Sequence, residues 1–259
     1  MELRAIWVYP LKSGGGVSVN SWQLDACGLV DDRRFMLVDE EGRFVSQRTL
    51  PHMANLRPEF HDGVIQFSFG EETIEVERAP RWEKTRMVEV WGDRVSGRCA
   101  PSGLSEWFSE MLGRDGLELV WFDPAQERPV DPQYAQPADR VGFADGFPIL
   151  LTNEASLAEL NRRLGYDTTM ERFRPNIVVN GGGPFAEDDW SSWNNFMKKI
   201  NEETQVVGDD LYVTNLERLK VGFLNKSSNS ILIKLNQIGT VSETLEVIKF
   251  AQIIGFKTI

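Results

Sequence analysis

The chain has 259 residues, 41% of them hydrophobic and 26% charged, the balance of an ordinary globular protein large enough to bury its own core. A formal net charge of -11 argues against a general binder of nucleic-acid backbones, and no apolar run approaches the roughly 20 residues needed to span a bilayer. Met1-Glu2-Leu3-Arg4 does not read as a signal peptide, and two cysteines, Cys27 and Cys99, make no disulfide framework, so a cytoplasmic protein is expected.

Arg4 to Val8 alternates and breaks at Pro10, which predicts a first strand. Lys12-Ser13-Gly14-Gly15-Gly16 follows. Three glycines free the backbone to turn its N–H groups toward one point, and a lysine and a hydroxyl beside them suit an anion. A plain hairpin loop is the alternative. Phe35–Val38 and Phe44–Ser46 flank Asp39-Glu40-Glu41-Gly42-Arg43 and predict a hairpin with glycine in the turn. Arg33 and Arg34 stand at its start and Gln47-Arg48 at its end, close in space on paired strands. Beside the glycine loop they would make a small anion pocket; surface ion pairing with Asp31 and Asp32 is the competing use of Arg33 and Arg34.

Val64–Phe69, Thr73–Glu77 and Met87–Trp91 continue the short-strand rhythm of a barrel or sandwich. Leu104, Trp107, Phe108 and Met111 fall at helical spacing before Gly113, and Cys99 falls in a turn-like stretch. Leu117 to Trp121 returns as a strand, and Asp123 to Arg140 reads as a linker or long loop. A helix capped by Thr152 runs to about Leu164, and Phe173-Arg174-Pro175-Asn176 opens a buried strand.

Tyr9-Pro10-Leu11-Lys12-Ser13, Gly28-Leu29 with Asp32-Arg33, Gln47-Arg48 with Pro51, Arg172-Phe173-Arg174-Pro175-Asn176 and Phe185-Ala186-Glu187-Asp188 occur in one order. Over residues 1–190 they resemble MOSC proteins with an N-terminal β-barrel domain, the group that includes the amidoxime-reducing components. The resemblance implies a molybdenum cofactor, reduction of N-hydroxylated small molecules, and a redox partner of the ferredoxin or cytochrome b5 kind. It implies that Lys12, Ser13, Arg33, Arg174 and Asn176 hold the pterin and its phosphate. It also implies a metal-ligating cysteine after the Arg-Pro-Asn word, whereas no cysteine follows Cys99, so impaired chemistry is expected.

Beyond Trp190 the pattern predicts a short helix from Ser192 to Ile200, a strand Gln205–Asp210, a helix opened by a Thr214/Glu217 capping box, and a strand Ser230–Leu235. A Thr240/Glu243 capping box then opens a further helix before a strand at Lys257, completing a parallel βαβαβ run. Asp209 and Lys234 fall at the C-terminal ends of their strands, where such a pair is either a metal-and-base site or a simple ion pair. Val207-Gly208-Asp209-Asp210-Leu211-Tyr212 and Leu232-Ile233-Lys234-Leu235-Asn236-Gln237 resemble enolase. By that resemblance Asp209 is one of three Mg2+ ligands and Lys234 the proton-abstracting base. Gly182 stands where enolase carries another ligand, so no dehydratase activity is expected, and the segment is expected to pack loosely with open apolar faces.

The composition changes near Pro184–Trp190. Residues 1–190 carry eighteen arginines and two lysines, residues 191–259 one arginine and seven lysines, and all twelve prolines precede Trp190. The expected fold is α+β. A β-barrel-like domain occupies 1–122, a linker and the start of a MOSC domain 123–190, and an enolase-like barrel fragment 191–259. A joined chain with no catalytic activity is the alternative to a MOSC-type enzyme.

Overall fold

A computed structural model describes residues 2–132, 135, 138–180, 188–200 and 204–259. Residues 181–187, with Gly182 at the expected enolase ligand position and the word Phe185-Ala186-Glu187, lie outside the described residues, as does most of the expected seam. The fold is mixed α+β, and it divides into two compact units. The N-terminal unit is Leu3–Thr152 with Thr169–Val179; the C-terminal unit includes Asn153–Thr168 and the chain from Asn180 to Ile259.

In the N-terminal unit β1 (Glu2–Val8) pairs antiparallel with β2 (Val17–Val19), setting Val8 opposite Val17. A short hairpin, β3 (Leu24–Asp25) and β4 (Gly28–Leu29), leads to β5 (Phe35–Val38), in which all four side chains are buried. The Gly42 turn forms as expected, at φ +81° with its N–H donating to the Asp39 carbonyl at 2.9 Å. Its return arm is a single bridge from Val38 to Phe44 rather than a strand.

β6 (Arg57–Phe60), β7 (Val64–Phe69) and β8 (Glu72–Glu77) form an antiparallel meander that buries Ile65, Phe67 and Val76. β9 (Thr85–Val90) and β10 (Asp93–Cys99) precede helix α1 (Ser102–Leu112), which ends on left-handed Gly113, and then β11 (Glu118–Trp121). The second sheet runs β5-β11-β10-β9. Phe35, Leu37, Phe67, Phe108 and Leu119 share one core, with Leu104 and Trp107 packed against it, so the aromatic spacing of α1 is a packing signal. Cys99, expected in a turn, ends β10 inside a second core.

The Asp123–Arg140 stretch is irregular, as expected of a loop, and it is tied down by a buried cation. Arg128 donates to the carbonyls of Gly142 and Ala144, both at 2.7 Å, and to Asp93. β12 (Leu151–Asn153) and β13 (Ile177–Asn180) complete a sheet of order β12-β13-β1-β2. Through it the Trp7 N–H reaches the Asn176 carbonyl at 2.8 Å, which sets the Arg174–Asn176 word beside the Lys12 loop.

In the C-terminal unit helix α2 (Glu154–Leu164) is capped by Asn153, not Thr152. The Asn153 side chain accepts the Ala155 N–H at 2.7 Å, one residue beyond the expected cap. α3 (Trp190–Met197), β14 (Val207–Gly208), α4 (Leu216–Leu224), β15 (Ser230–Ile231), α5 (Leu235–Ile238), α6 (Val241–Ile253) and β16 (Lys257–Thr258) follow. β14, β15 and β16 pair in parallel, the expected βαβαβ run with shorter strands.

Thr240 caps α6 as expected, but Asn215 rather than Thr214 caps α4. Thr214 is at φ +54° and its hydroxyl accepts the Lys234 N–H at 2.8 Å instead. Tyr212 is fully buried at the centre of this unit. A Cβ at Gly208 or Gly222 would fall 2.3 or 2.2 Å from its ring, so both positions need glycine for close approach. Leu224, Val241 and Ile253 are exposed, the open apolar faces expected of a barrel segment.

Candidate functional site

Lys12, Ser13, Arg33, Arg174 and Asn176, which the sequence singles out, line one cavity of about 620 Å3 in the N-terminal unit. Arg48 and Arg172 line it as well, so five cations face it; among the described residues its single carboxylate is Asp145. In an acidic chain this concentration of positive charge is a local construction, suited to a multiply charged anion.

Arg33 is the hub. Its guanidinium donates to Asp32 at 2.5 Å, to the Asn176 side-chain oxygen at 2.9 Å and to the Arg174 carbonyl at 2.8 Å. Of the two uses the sequence leaves open for Arg33, ion pairing and pocket lining, both hold, because the pair is buried and Arg33 lines the cavity while Asp32 lies behind it. Arg34 instead points away, to Asp25 at 2.7 Å. Asp32 in turn accepts the Tyr9 N–H at 2.8 Å, which locks the Tyr9-Pro10-Leu11-Lys12 loop to the Arg33 turn.

Arg174 donates to the Gly14 and Leu11 carbonyls, while the Gly14 and Gly15 N–H groups donate to the Leu11 and Leu56 carbonyls, both at 2.9 Å, so contrary to expectation the glycine loop does not turn these N–H groups toward an anion. The Tyr9 ring lies against both guanidinium groups, 4.6 Å from Arg33 and 4.4 Å from Arg174. Burial, then the Arg33 charge, pushes Arg174 down to about 10, which leaves it cationic at neutral pH. Burial, helped by the Asp32 and Glu171 charges, raises the Tyr9 phenol to about 12 against the lowering by both arginines, so it stays neutral. Lys12 is also lowered by burial, with Asp145 at 2.5 Å acting in the opposite direction. Asn176 is itself fixed: its oxygen takes the Arg33 and Leu150 N–H groups, and its amide donates to the Trp7 carbonyl.

Sequence reasoning did not single out Trp91 or Asp145. Trp91 turns the β9–β10 hairpin at φ +53° ahead of Gly92, and the aromatic-glycine pair at a strand end is the signal it left. Its indole N–H donates to Asp145 at 2.8 Å and its ring lies 5.1 Å from the Arg48 guanidinium. Asp145 left no signal beyond a short Asp-Gly word.

The fit of these residues to a phosphate-bearing pterin cofactor differs between its two ends. Buried cations suit the anionic end. Neither cysteine lines the cavity: both lie in the core between β5, β11 and β10, and burial with Glu118 beside it pushes the Cys99 thiol up to about 11. A neutral thiol in an apolar core is a poor soft ligand, so the residues described do not fit the metal end.

Asp209 and Lys234 are brought together in the C-terminal unit, with Lys234 Nζ 2.7 Å from Asp209 and Gln237 3.4 Å from the other carboxylate oxygen. Among the described residues no group of three His, Cys, Asp or Glu is placed to hold a metal. The ion-pair reading of the two residues is therefore the one the geometry favours. Each side chain is 38% exposed. Lys234→Met is expected to cost under about 1 kcal/mol in urea denaturation, and added Mg2+ to leave the melting temperature unchanged.

Residues 1–115 match the family described as the MOSC N-terminal beta barrel domain, and residues 164–259 match the enolase C-terminal TIM barrel domain. The enolase match thus starts ahead of the expected seam at Pro184–Trp190. The enolase of Pelagibacter ubique (strain HTCC1062) is 79% identical over 135 residues, 47% of this chain and 32% of that protein. Mitochondrial amidoxime-reducing component 1 of Mus musculus is 31% identical over 196 residues, 72% of this chain and 57% of that protein. Mitochondrial amidoxime reducing component 2 of Bos taurus is 30% identical over 207 residues, 75% of this chain and 62% of that protein. The chain therefore spans about a third of the enolase and less than two thirds of the amidoxime-reducing components. A match over 75% of the chain and one over 164–259 must share residues, so the two similarities overlap. The front of the chain is thus similar to a MOSC N-terminal barrel and its rear to an enolase barrel.

Proposed function

We propose that this chain is a MOSC-type cofactor-binding protein whose N-terminal unit holds the phosphorylated end of the molybdenum cofactor without completing the metal site. The five cations converging on one cavity carry the reading. Lys12, Arg33 and Arg174 neutralise the anion, Ser13 offers a hydroxyl, and Asn176 fixes Arg33 in place. When bound in the relatives' manner, the cofactor would supply redox chemistry for small N-hydroxylated compounds, with electrons from a ferredoxin-like or cytochrome b5-like partner. This chain's own residues bind and orient; no redox step is derived from them. Elemental analysis and oxidised-pterin fluorescence of the purified protein test this. Pterin with well under one molybdenum per chain is the expected result. Stoichiometric molybdenum would overturn the impaired-site reading, and absence of both would overturn cofactor binding.

The enolase reading has one favourable observation, the Asp209–Lys234 pair, and among the described residues that pair belongs to no group of three His, Cys, Asp or Glu placed to hold a metal. We propose no dehydratase role for it; a 2-phosphoglycerate assay should show no turnover.

A further inference from the structure

Among the described residues the basic cavity contains one carboxylate, and it is bonded to the buried Lys12 ammonium. Asp145 accepts from Lys12 Nζ at 2.5 Å and from the Trp91 indole at 2.8 Å. The two partners differ sharply in exposure: the Lys12 side chain is 5% exposed, the Asp145 side chain 75%. The carboxylate therefore caps the ammonium from the solvent side, in the place an incoming anion would take. Its backbone is fixed, because the Asp145 carbonyl accepts from buried Arg128 at 3.1 Å. Its side chain is not enclosed, and no heavy atom lies within 4 Å of where a Cβ on the adjacent Gly146 would sit. A side-chain rotation can release Lys12 without moving the loop.

We propose that Asp145 is an internal competitor for this pocket, a carboxylate that stands on Lys12 until an incoming anion displaces it. The proposal rests on the anion-pocket reading above. A monoanion that replaces Asp145 exchanges one carboxylate-like charge for another and gains nothing from Lys12. A dianion meets Lys12 and the neighbouring Arg33 and Arg174 together, and the surplus charge offsets the lost Asp145 contacts.

The test is calorimetric titration of the full chain near neutral pH with inorganic phosphate and with formate, comparing wild type with Asp145→Asn. Asparagine keeps the shape and an acceptor for Lys12. Phosphate should bind Asp145→Asn about fivefold tighter than wild type, and formate should gain by no larger a factor, because both anions displace the same carboxylate. Asp145→Ala, checked for an unchanged melting temperature, should behave alike. Phosphate binding to wild type with no gain in either variant would overturn the proposal while leaving the pocket intact. No phosphate binding to any of the three proteins would overturn the pocket reading and this proposal together.

Discussion

Arg33→Gln should destabilise the N-terminal unit by about 3–5 kcal/mol, the range for breaking one side of a buried ion pair. The Asp32 side chain is only 2% exposed and has Arg33 at 2.5 Å as its charge partner. Glutamine leaves that carboxylate buried and uncompensated. It also withdraws the donors to Asn176 and to the Arg174 carbonyl, so the loop carrying Arg174 loses its tie. Arg33→Lys should recover only part of the loss, because one ammonium cannot reproduce a planar fork serving three acceptors. Equilibrium urea unfolding measures both. A loss under about 1 kcal/mol for Arg33→Gln would mean the network is ornamental.

Tyr212→Ala should cost the C-terminal unit about 3–5 kcal/mol, the usual price of removing a fully buried large ring. The ring is wedged between Gly208 and Gly222, and its hydroxyl is 2.6 Å from Ser228 Oγ in the interior. Alanine opens a cavity that the two glycines cannot fill and removes one of that serine's two partners, leaving it the Ser230 carbonyl at 3.1 Å. With two compact units holding separate cores, we expect two unfolding transitions, and only the one belonging to Leu211, Leu219, Ile231 and Val247 should move. A mutation there that shifted both transitions equally would contradict separate cores.

The sequence made some of this legible and hid the rest for identifiable reasons. The strand-and-turn rhythm of Val64–Val90 and the parallel run through Val207, Ser230 and Lys257 were visible because burial on one face and short turns impose a period. Lys12-Ser13, Arg33 with Gln47-Arg48, and Arg174 with Asn176 converge on one cavity, whereas the glycines after Ser13 do not line it, because the Gly14 and Gly15 N–H groups are used within the loop's own packing. Helix caps slipped by one residue at Asn153 and Asn215, where two adjacent side chains could each cap and tertiary bonds chose between them. Phe44–Ser46 gave one bridge because Val45 turns inward to donate to Leu37 and enters the core. Arg128, Trp91 and Asp145 stayed hidden because their partners lie far along the chain: Arg128 meets Asp93, and Asp145 meets Lys12. No local pattern records such pairings.

Ser13, Arg33, Trp91 and Arg174 all line the cavity, and all four hold left-handed backbone angles, with φ between 47° and 66°. Arg174 does so immediately before Pro175, which further narrows its choices. Each such residue costs the chain something a glycine would not. Selection for thermal robustness alone would drift these four sites toward glycine, and selection for ligand capture would hold them as they are. The pocket is therefore where heat tolerance and recognition pull this polypeptide in opposite directions.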